Sequence, residues 1–443
     1  MKLLQKHSLL SFSLGVYIAS LAVTDLLALP YVGNMVQLPE IFFVLLVAVL
    51  LFTRPVQWKA FRFPLLTVDY ALLFLLGAFV LSALFGISAR SWLEVLGITY
   101  FLSVYAVLNY CICNRLITVE SLLPPLRVAG YITAISGIAG WLLAQFGADT
   151  ALAWPKDALF PYFQGFGRAD GFFYNPNNLL SFAGVCFFFE TAFLIRRGQP
   201  LKWGDWAYLF LLLAAGVLSF SKLIVLYFIG WLWMLYWLGA PVVRRRKKLL
   251  WAGSIALAMV FYLATHVVFI DSASPQYEQL WKAGFILKEP FGHWGGLELC
   301  WTNYSVNKYA AFRAGLDHFP FGLGAGQYVH SAADLIASGY FPSYFPPYEP
   351  HSTVTGAWAE LGGCGLLALA FLYFSVGKLI HKGLKKELAA AVPLFAAGAA
   401  VLLVALLDGV VTDTLFQRHY WVVLAVAVAA CRTGTLPALG LFV

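Results

Sequence analysis

Charge is what this chain of 443 residues has least of: Asp, Glu, Lys and Arg together make up 11 % of it, with only 21 acidic residues. A soluble domain carries roughly a quarter charged residues, so a water-soluble globule is excluded. The 6 cysteines are scattered, giving neither a disulfide framework nor zinc-finger spacing. There is no P-loop, no dinucleotide fingerprint after a strand, no HExxH and no Gly-x-Ser-x-Gly elbow, so the familiar nucleotide, zinc-protease and serine-hydrolase chemistries have no foothold. The Gly322-Leu323-Gly324-Ala325-Gly326 run has no strand before it and is read as a tight loop. Acidic residues that could share a metal are dispersed; no metal and no cofactor is expected.

What is present is apolar. Hydrophobic residues make up 61 % of the chain, and runs of about twenty of them recur along nearly the whole length, as in a polytopic membrane protein. The fold class expected is all-α, with about twelve transmembrane helices over 8–28, 38–53, 63–87, 92–113, 125–146, 177–195, 203–220, 223–243, 249–270, 353–377, 387–411 and 419–437. The first run follows Lys2 and Lys6 in the outline of a signal peptide, but it lacks a small-residue cleavage site and reads as a retained helix.

The breaks between runs separate by charge. Arg54, Lys59, Arg62, Arg115, Arg127, Arg196, Arg197, Lys202, the cluster Arg244 to Lys248, Lys378, Lys382, Lys385, Lys386 and Arg432 all fall on one side. By the positive-inside rule that side is the cytoplasm, and both termini lie there. The net charge of +8 therefore fixes orientation and meets anionic lipid; it is not a nucleic-acid signature. Two external segments exceed a turn: 147–176, and 271–352, which is large enough for a subdomain. The expected organisation is helices 1–9 over 1–270, the large loop over 271–352 and helices 10–12 over 353–443. The loop is rich in Trp, Tyr, Phe, Pro and Gly, a composition that favours order. Its best helix candidate is Lys308 to Phe319, with Tyr309, Phe312, Leu316 and Phe319 on one face. Trp154, Tyr162, Phe163, Phe166 and the run Tyr340 to Tyr348 gather outside, as interfacial anchors or as a surface for sugars and polyprenyl chains.

Cations on the external side oppose the orienting rule and call for a reason. Arg168 precedes Asn175-Pro176-Asn177, where Asn175 reads as an N-cap and Pro176 as the first helical residue; a guanidinium beside a helix N-terminus suits a phosphate. Lys222 falls in a minimal turn after Ser221, Lys308 and Arg313 lie on the loop helix, and Arg418 opens the last span. Headgroup contact or ion pairing would also account for each of them. His351 stands at the entrance of the tenth span, after Glu349-Pro350 and before Ser352. It is either a helix cap or, with an imidazole suited to proton transfer near neutral pH, a base. On an ideal helix Trp358 and Gly362 share its face and Glu360 does not; Gly362 and Gly365 would allow close helix contact.

These residues resemble the bacterial O-antigen ligase and Wzy-type polymerase superfamily of polytopic glycosyltransferases. The likeness lies in His351-Ser352-x9-Gly362-x2-Gly365, in the Arg168…Asn175-Pro176-Asn177 segment, and in Ser221-Lys222, which is similar to the family's Ser-Arg pair. The resemblance implies transfer of a glycan from undecaprenyl diphosphate to a hydroxyl on the periplasmic face of the bacterial inner membrane, inverting and independent of metal. His351 would be the general base, with Arg168 and Lys308 or Arg313 on the diphosphate and Lys222 beside them. Asp413 would match an acidic residue of the last external loop. The acceptor would be lipid A core sugar for a ligase, or another lipid-linked glycan for a polymerase. A protein O-oligosaccharyltransferase is a further variant, and a monomer is expected. A flippase is the rival of another class; it would use charges inside the spans, where Asp69, Glu94, Glu360 and Asp408 are the candidates.

Overall fold

The computed structural model describes residues 2–24, 36–53, 65–86, 88–148, 151–154, 167–345, 349–385 and 392–433. Arg54, Lys59, Arg62, Lys386, Tyr162, Phe163 and Phe166 lie outside the described residues. The chain runs through α1 (Lys2–Ser20), α2 (Leu38–Thr53), α3 (Thr67–Gly86), α4 (Ala89–Cys113), α5 (Leu123–Gln145), α6 (Pro176–Arg197), α7 (Trp203–Leu218), α8 (Ile224–Trp237), α9 (Pro241–Arg245) and α10 (Lys247–His266). A short ladder of β1 (Ala153–Trp154) and β2 (Arg168–Ala169) precedes α6. After α10 come β3 (Val267–Ile270), α11 (Pro275–Lys282), β4 (Gly292–Trp294), β5 (Leu297–Trp301), α12 (Asn303–Asp317) and α13 (Ala332–Ala337). Then follow α14 (Thr353–Lys385), α15 (Val392–Asp408) and α16 (Arg418–Thr433).

The protein is membrane-embedded. Among the described residues six helical segments are long and apolar enough to cross a bilayer: Thr67–Gly86, Ala89–Cys113, Glu120–Gln145, Pro176–Arg197, Lys247–His266 and Thr353–Leu384. Their outward faces are apolar: Leu73, Leu84, Ile255, Met259 and Val260 are all more than half exposed. Such faces need lipid rather than water. Inside, the middle turns of α15 and α16 are apolar, and Ala396, Ala400, Val404, Ala425 and Val428 are fully buried, the mark of a central helix. Packing pairs α14 with α3, α16 with α4, and α15 with both α6 and α8.

The expectation of about twelve spans is not met. Other apolar helices are short: α2 and α7 have 16 residues each and α8 has 14. Sixteen residues reach only about 24 Å at 1.5 Å each, against roughly 30 Å of hydrocarbon. Hydropathy overstates such segments because it runs through turns. The run 223–243 contains the end of α8 at Trp237 and the separate helix α9, and 8–28 outlasts α1, which ends at Ser20.

The all-α expectation also fails, in the large loop. β3, β5 and β4 form a three-stranded antiparallel sheet in that order, with Val268 opposite Cys300 and Gly292 opposite Leu299. One face packs Ile270 and Cys300 against Leu280 of α11 and Ile286. Val267 to Ile270 is a continuous apolar run after α10, and such a run does not reveal where a helix becomes a strand; the ninth span absorbed it. The predicted loop helix exists as α12, begun five residues earlier at Asn303, and Tyr309, Phe312, Leu316 and Phe319 are exposed together. A second cluster, with Val306, Ala310, Tyr328, Leu335 and Phe341, holds α12 and α13 together over Ala359.

Candidate functional site

The C-terminus of α10 organises one end of the bundle. The last four carbonyls of a helix have no partner within it, and here each is met from outside the helix. Leu263 O accepts from the Val267 amide and Ala264 O from the Lys222 ammonium. Thr265 O accepts the Thr302 hydroxyl at 2.8 Å. His266 O accepts the Thr302 amide and the Ser305 hydroxyl, both at 3.0 Å. Thr302 is the N-cap residue of α12, so these bonds dock the loop helix on α10 and place Lys308 nearly two turns further along.

Lys308 reaches back to that helix end: its ammonium donates to His266 Nε2 at 2.7 Å and lies 5.6 Å from the centre of the Tyr262 ring. Tyr304, one turn before Lys308, packs its ring against the His351 imidazole with centroids 4.9 Å apart. The same Tyr304 is an electrostatic neighbour of Arg168.

Arg168 is delivered by β2. Its Nε donates to Ser219 O, at the end of α7, at 2.9 Å, and its Nη2 to Asn177 Oδ1 at 3.4 Å. Asn177 also accepts the Ser221 hydroxyl at 2.7 Å, tying the start of α6 to the turn that carries Lys222. Asn175 caps α6 as its sequence suggests, accepting from the Asn178 amide at 2.9 Å, with Pro176 as the first helical residue. Four residues singled out from sequence far apart, Arg168, Lys222, Lys308 and His351, thus meet around Tyr304 and the end of α10.

The electrostatics follow from burial. Desolvation pulls the Lys308 ammonium down to about 7, only partly offset by Asp408. Burial, then the Arg168 charge, pulls Lys222 down to about 8. Arg168 itself is lowered by burial. Burial, then the Lys308 charge, holds His351 at about 4, so its imidazole is neutral at pH 7. Cations gathered and partly desolvated in this way make a setting in which an anion is favoured.

No protein-family model matches the chain, and no curated protein matches it in sequence.

Other expected residues are placed elsewhere. Arg313 is on α12 but outside the cluster: its guanidinium donates to Tyr340 OH at 3.2 Å and lies over that ring. Arg418 is an ion-pair residue, 2.6 Å from Glu40 of α2. Asp413 accepts the Thr353 hydroxyl and the Leu415 amide, each at 3.0 Å, and so pins the start of α14; burial raises its carboxyl. Trp358 donates to Phe312 O at 2.9 Å and covers Gly315, docking α14 on α12.

The helical-face argument for His351 does not hold. His351 precedes α14 with φ +48°, and Gly362 interrupts that helix with φ 65° and ψ −153°. Gly362 therefore seats the 320–326 loop rather than a neighbouring helix, and Gly365 follows the kink, where a Cβ would meet Leu361 Cβ at 2.2 Å. Glu360 closes the same loop, accepting from the Gly326 amide at 2.9 Å and the Tyr328 amide at 3.2 Å. Two residues of the cluster escaped the sequence reading. Tyr304 lies on the turn of α12 before the predicted helix start, and His266 lies inside an apolar run taken as a span; a lone polar ring at a span end was the signal available.

Proposed function

We propose that the chain is a membrane glycosyltransferase that moves a glycan from a polyprenyl diphosphate to a hydroxyl acceptor, at the end of the bundle where α10 meets α12. The observation that carries this reading is the convergence of Arg168, Lys222 and Lys308 beside a neutral His351. Three cations suit a diphosphate, and a neutral imidazole suits a proton acceptor.

In the proposed step His351 removes the acceptor hydroxyl proton while the oxygen attacks the anomeric carbon. The bond from that carbon to the diphosphate oxygen breaks, and its electron pair leaves with the phosphate, whose growing charge the cations stabilise. Direct displacement inverts the anomeric centre. Burial, and then the Lys308 charge, depress His351; a diphosphate beside Lys308 would offset that charge and make the imidazole a stronger base.

The ligase resemblance of the His351–Gly365 segment favours lipid A core sugar as acceptor, with the site on the periplasmic side of the bacterial inner membrane and both termini cytoplasmic. The carboxylates a flippase would need are engaged locally. Asp69 pairs with Arg432 at 2.5 Å, Glu94 with Arg90 at 2.6 Å, Glu360 binds backbone amides, and Asp408 accepts from Thr412 at 2.7 Å. The test is transfer from undecaprenyl diphosphate glycan to lipid A core by purified protein. Loss of transfer with His351→Ala and Arg168→Ala is expected. Full transfer by the His351 variant would sink the mechanism, and a ladder of longer lipid-linked products would move the acceptor to a second donor glycan.

A further inference from the structure

The cation cluster holds a second imidazole that the transfer chemistry does not use. His266 ends α10 and is 3 % exposed. Its Nδ1 is 2.8 Å from the Tyr262 carbonyl oxygen, which can only accept, so Nδ1 carries the proton. Nε2 is then the bare nitrogen, and it accepts from the Lys308 ammonium at 2.7 Å. The ring lies flat against Tyr262, centroids 3.9 Å apart and planes 20° from parallel, and the Tyr304 ring centre is 6.3 Å away.

A lysine has a long flexible stem, and ordering it when a ligand arrives costs binding free energy. Ordering it beforehand on a rigid acceptor removes that cost from the binding step. The acceptor's chemistry also matters: a carboxylate at this position would cancel the ammonium charge, whereas a neutral imidazole holds the group without adding a negative charge. The bond uses one of three ammonium donors. We infer that His266 is a positioning residue for the donor diphosphate, fixing Lys308 toward the space shared by Arg168, Lys222 and His351. This inference rests on the diphosphate reading of the cluster.

The experiment compares full-length wild type, His266→Phe and His266→Gln in nanodiscs, measuring the Kd for undecaprenyl diphosphate and the steady-state constants for transfer. Phe keeps a ring against Tyr262 without an acceptor; the Gln side-chain oxygen can stand where Nε2 stands. Losing a hydrogen bond to a charged group predicts that His266→Phe raises Kd and donor KM roughly tenfold, with kcat within about twofold of wild type. His266→Gln should restore both. Wild-type affinity in His266→Phe, or a fall in kcat with KM held, overturns the inference and leaves the diphosphate reading standing. No binding of the probe by wild type removes that reading and the inference with it. Should His266→Phe not fold, His266→Asn replaces it, since its oxygen stops at the δ position; Asn and Gln binding alike would overturn the proposal.

Discussion

Gly322 and Gly362 meet backbone to backbone. A Cβ on Gly362 would lie 2.6 Å from the Gly322 amide nitrogen and 2.2 Å from Pro320 O, and Gly362 has the positive φ that side chains avoid. Gly362→Ala therefore combines backbone strain with overpacking, and a loss of about 2–4 kcal/mol is expected. Gly377→Ala, in the same helix with nothing within 4 Å of the added carbon, is the control. Thermal unfolding in detergent checks the pair; equal stability of the two variants would remove the structural role of Gly362.

Glu360 supports the same loop from the other direction. Its two oxygens accept from the Gly326 and Tyr328 amides, and its carbonyl accepts the Ser82 hydroxyl at 2.6 Å. Glu360→Gln keeps one acceptor and turns a donor group toward an amide, which costs about 1–3 kcal/mol. Glu360→Leu leaves both amides without this partner and should cost more. Limited proteolysis within 322–328 measures it. Unchanged protection in both variants would show that the loop does not depend on this carboxylate.

These two residues show how far sequence reached. A straight helix keeps Glu360 off the His351 face but gives Gly362 a helix for a neighbour where the structure gives it the 320–326 loop, because a helix break at a glycine depends on what packs against it. The same holds for the spans. Apolar runs marked the chain as membrane-embedded, yet the spans were overcounted because residues in turns and in β3 are as hydrophobic as those in helices. The site was legible where local chemistry sets it, as at Asn175 capping α6. Which distant cations converge is decided by packing: Lys308 and Arg313 are equivalent in composition, and only the docking of Thr302 on α10 separates them.

The two titrations in the cluster predict a bell-shaped pH dependence of kcat/KM for the donor. In the proposed transfer His351 would act unprotonated, so activity should rise as pH passes its value of about 4. Lys308 would bind the proposed donor in its protonated form, so donor capture should fall as pH rises through about 7. Lys308→Arg cannot lose its charge in this range, which moves the alkaline limb upward to that of Lys222 at about 8. Lys308→Met removes the positive neighbour of His351, and the acid limb should shift to higher pH. An alkaline limb unmoved by Lys308→Arg would detach Lys308 from donor binding.

Lys308 and Arg313 offer the sharpest comparison, because they are five residues apart on one helix and either could have met the phosphate by sequence. Lys308 is drawn into the cluster by His266, whereas Arg313 is turned to Tyr340, 4.8 Å from the centre of that ring. An ammonium that contacts phosphate in a partly desolvated site is worth roughly tenfold or more in affinity, whereas a cation–π pair acts on local order. Lys308→Ala should therefore raise donor KM at least tenfold with little change in melting temperature. Arg313→Ala should leave donor KM within about twofold while loosening the 338–345 segment, read by hydrogen exchange. The reverse outcome, a donor defect confined to Arg313→Ala, would mean that α12 turns on binding and presents its other face to the diphosphate.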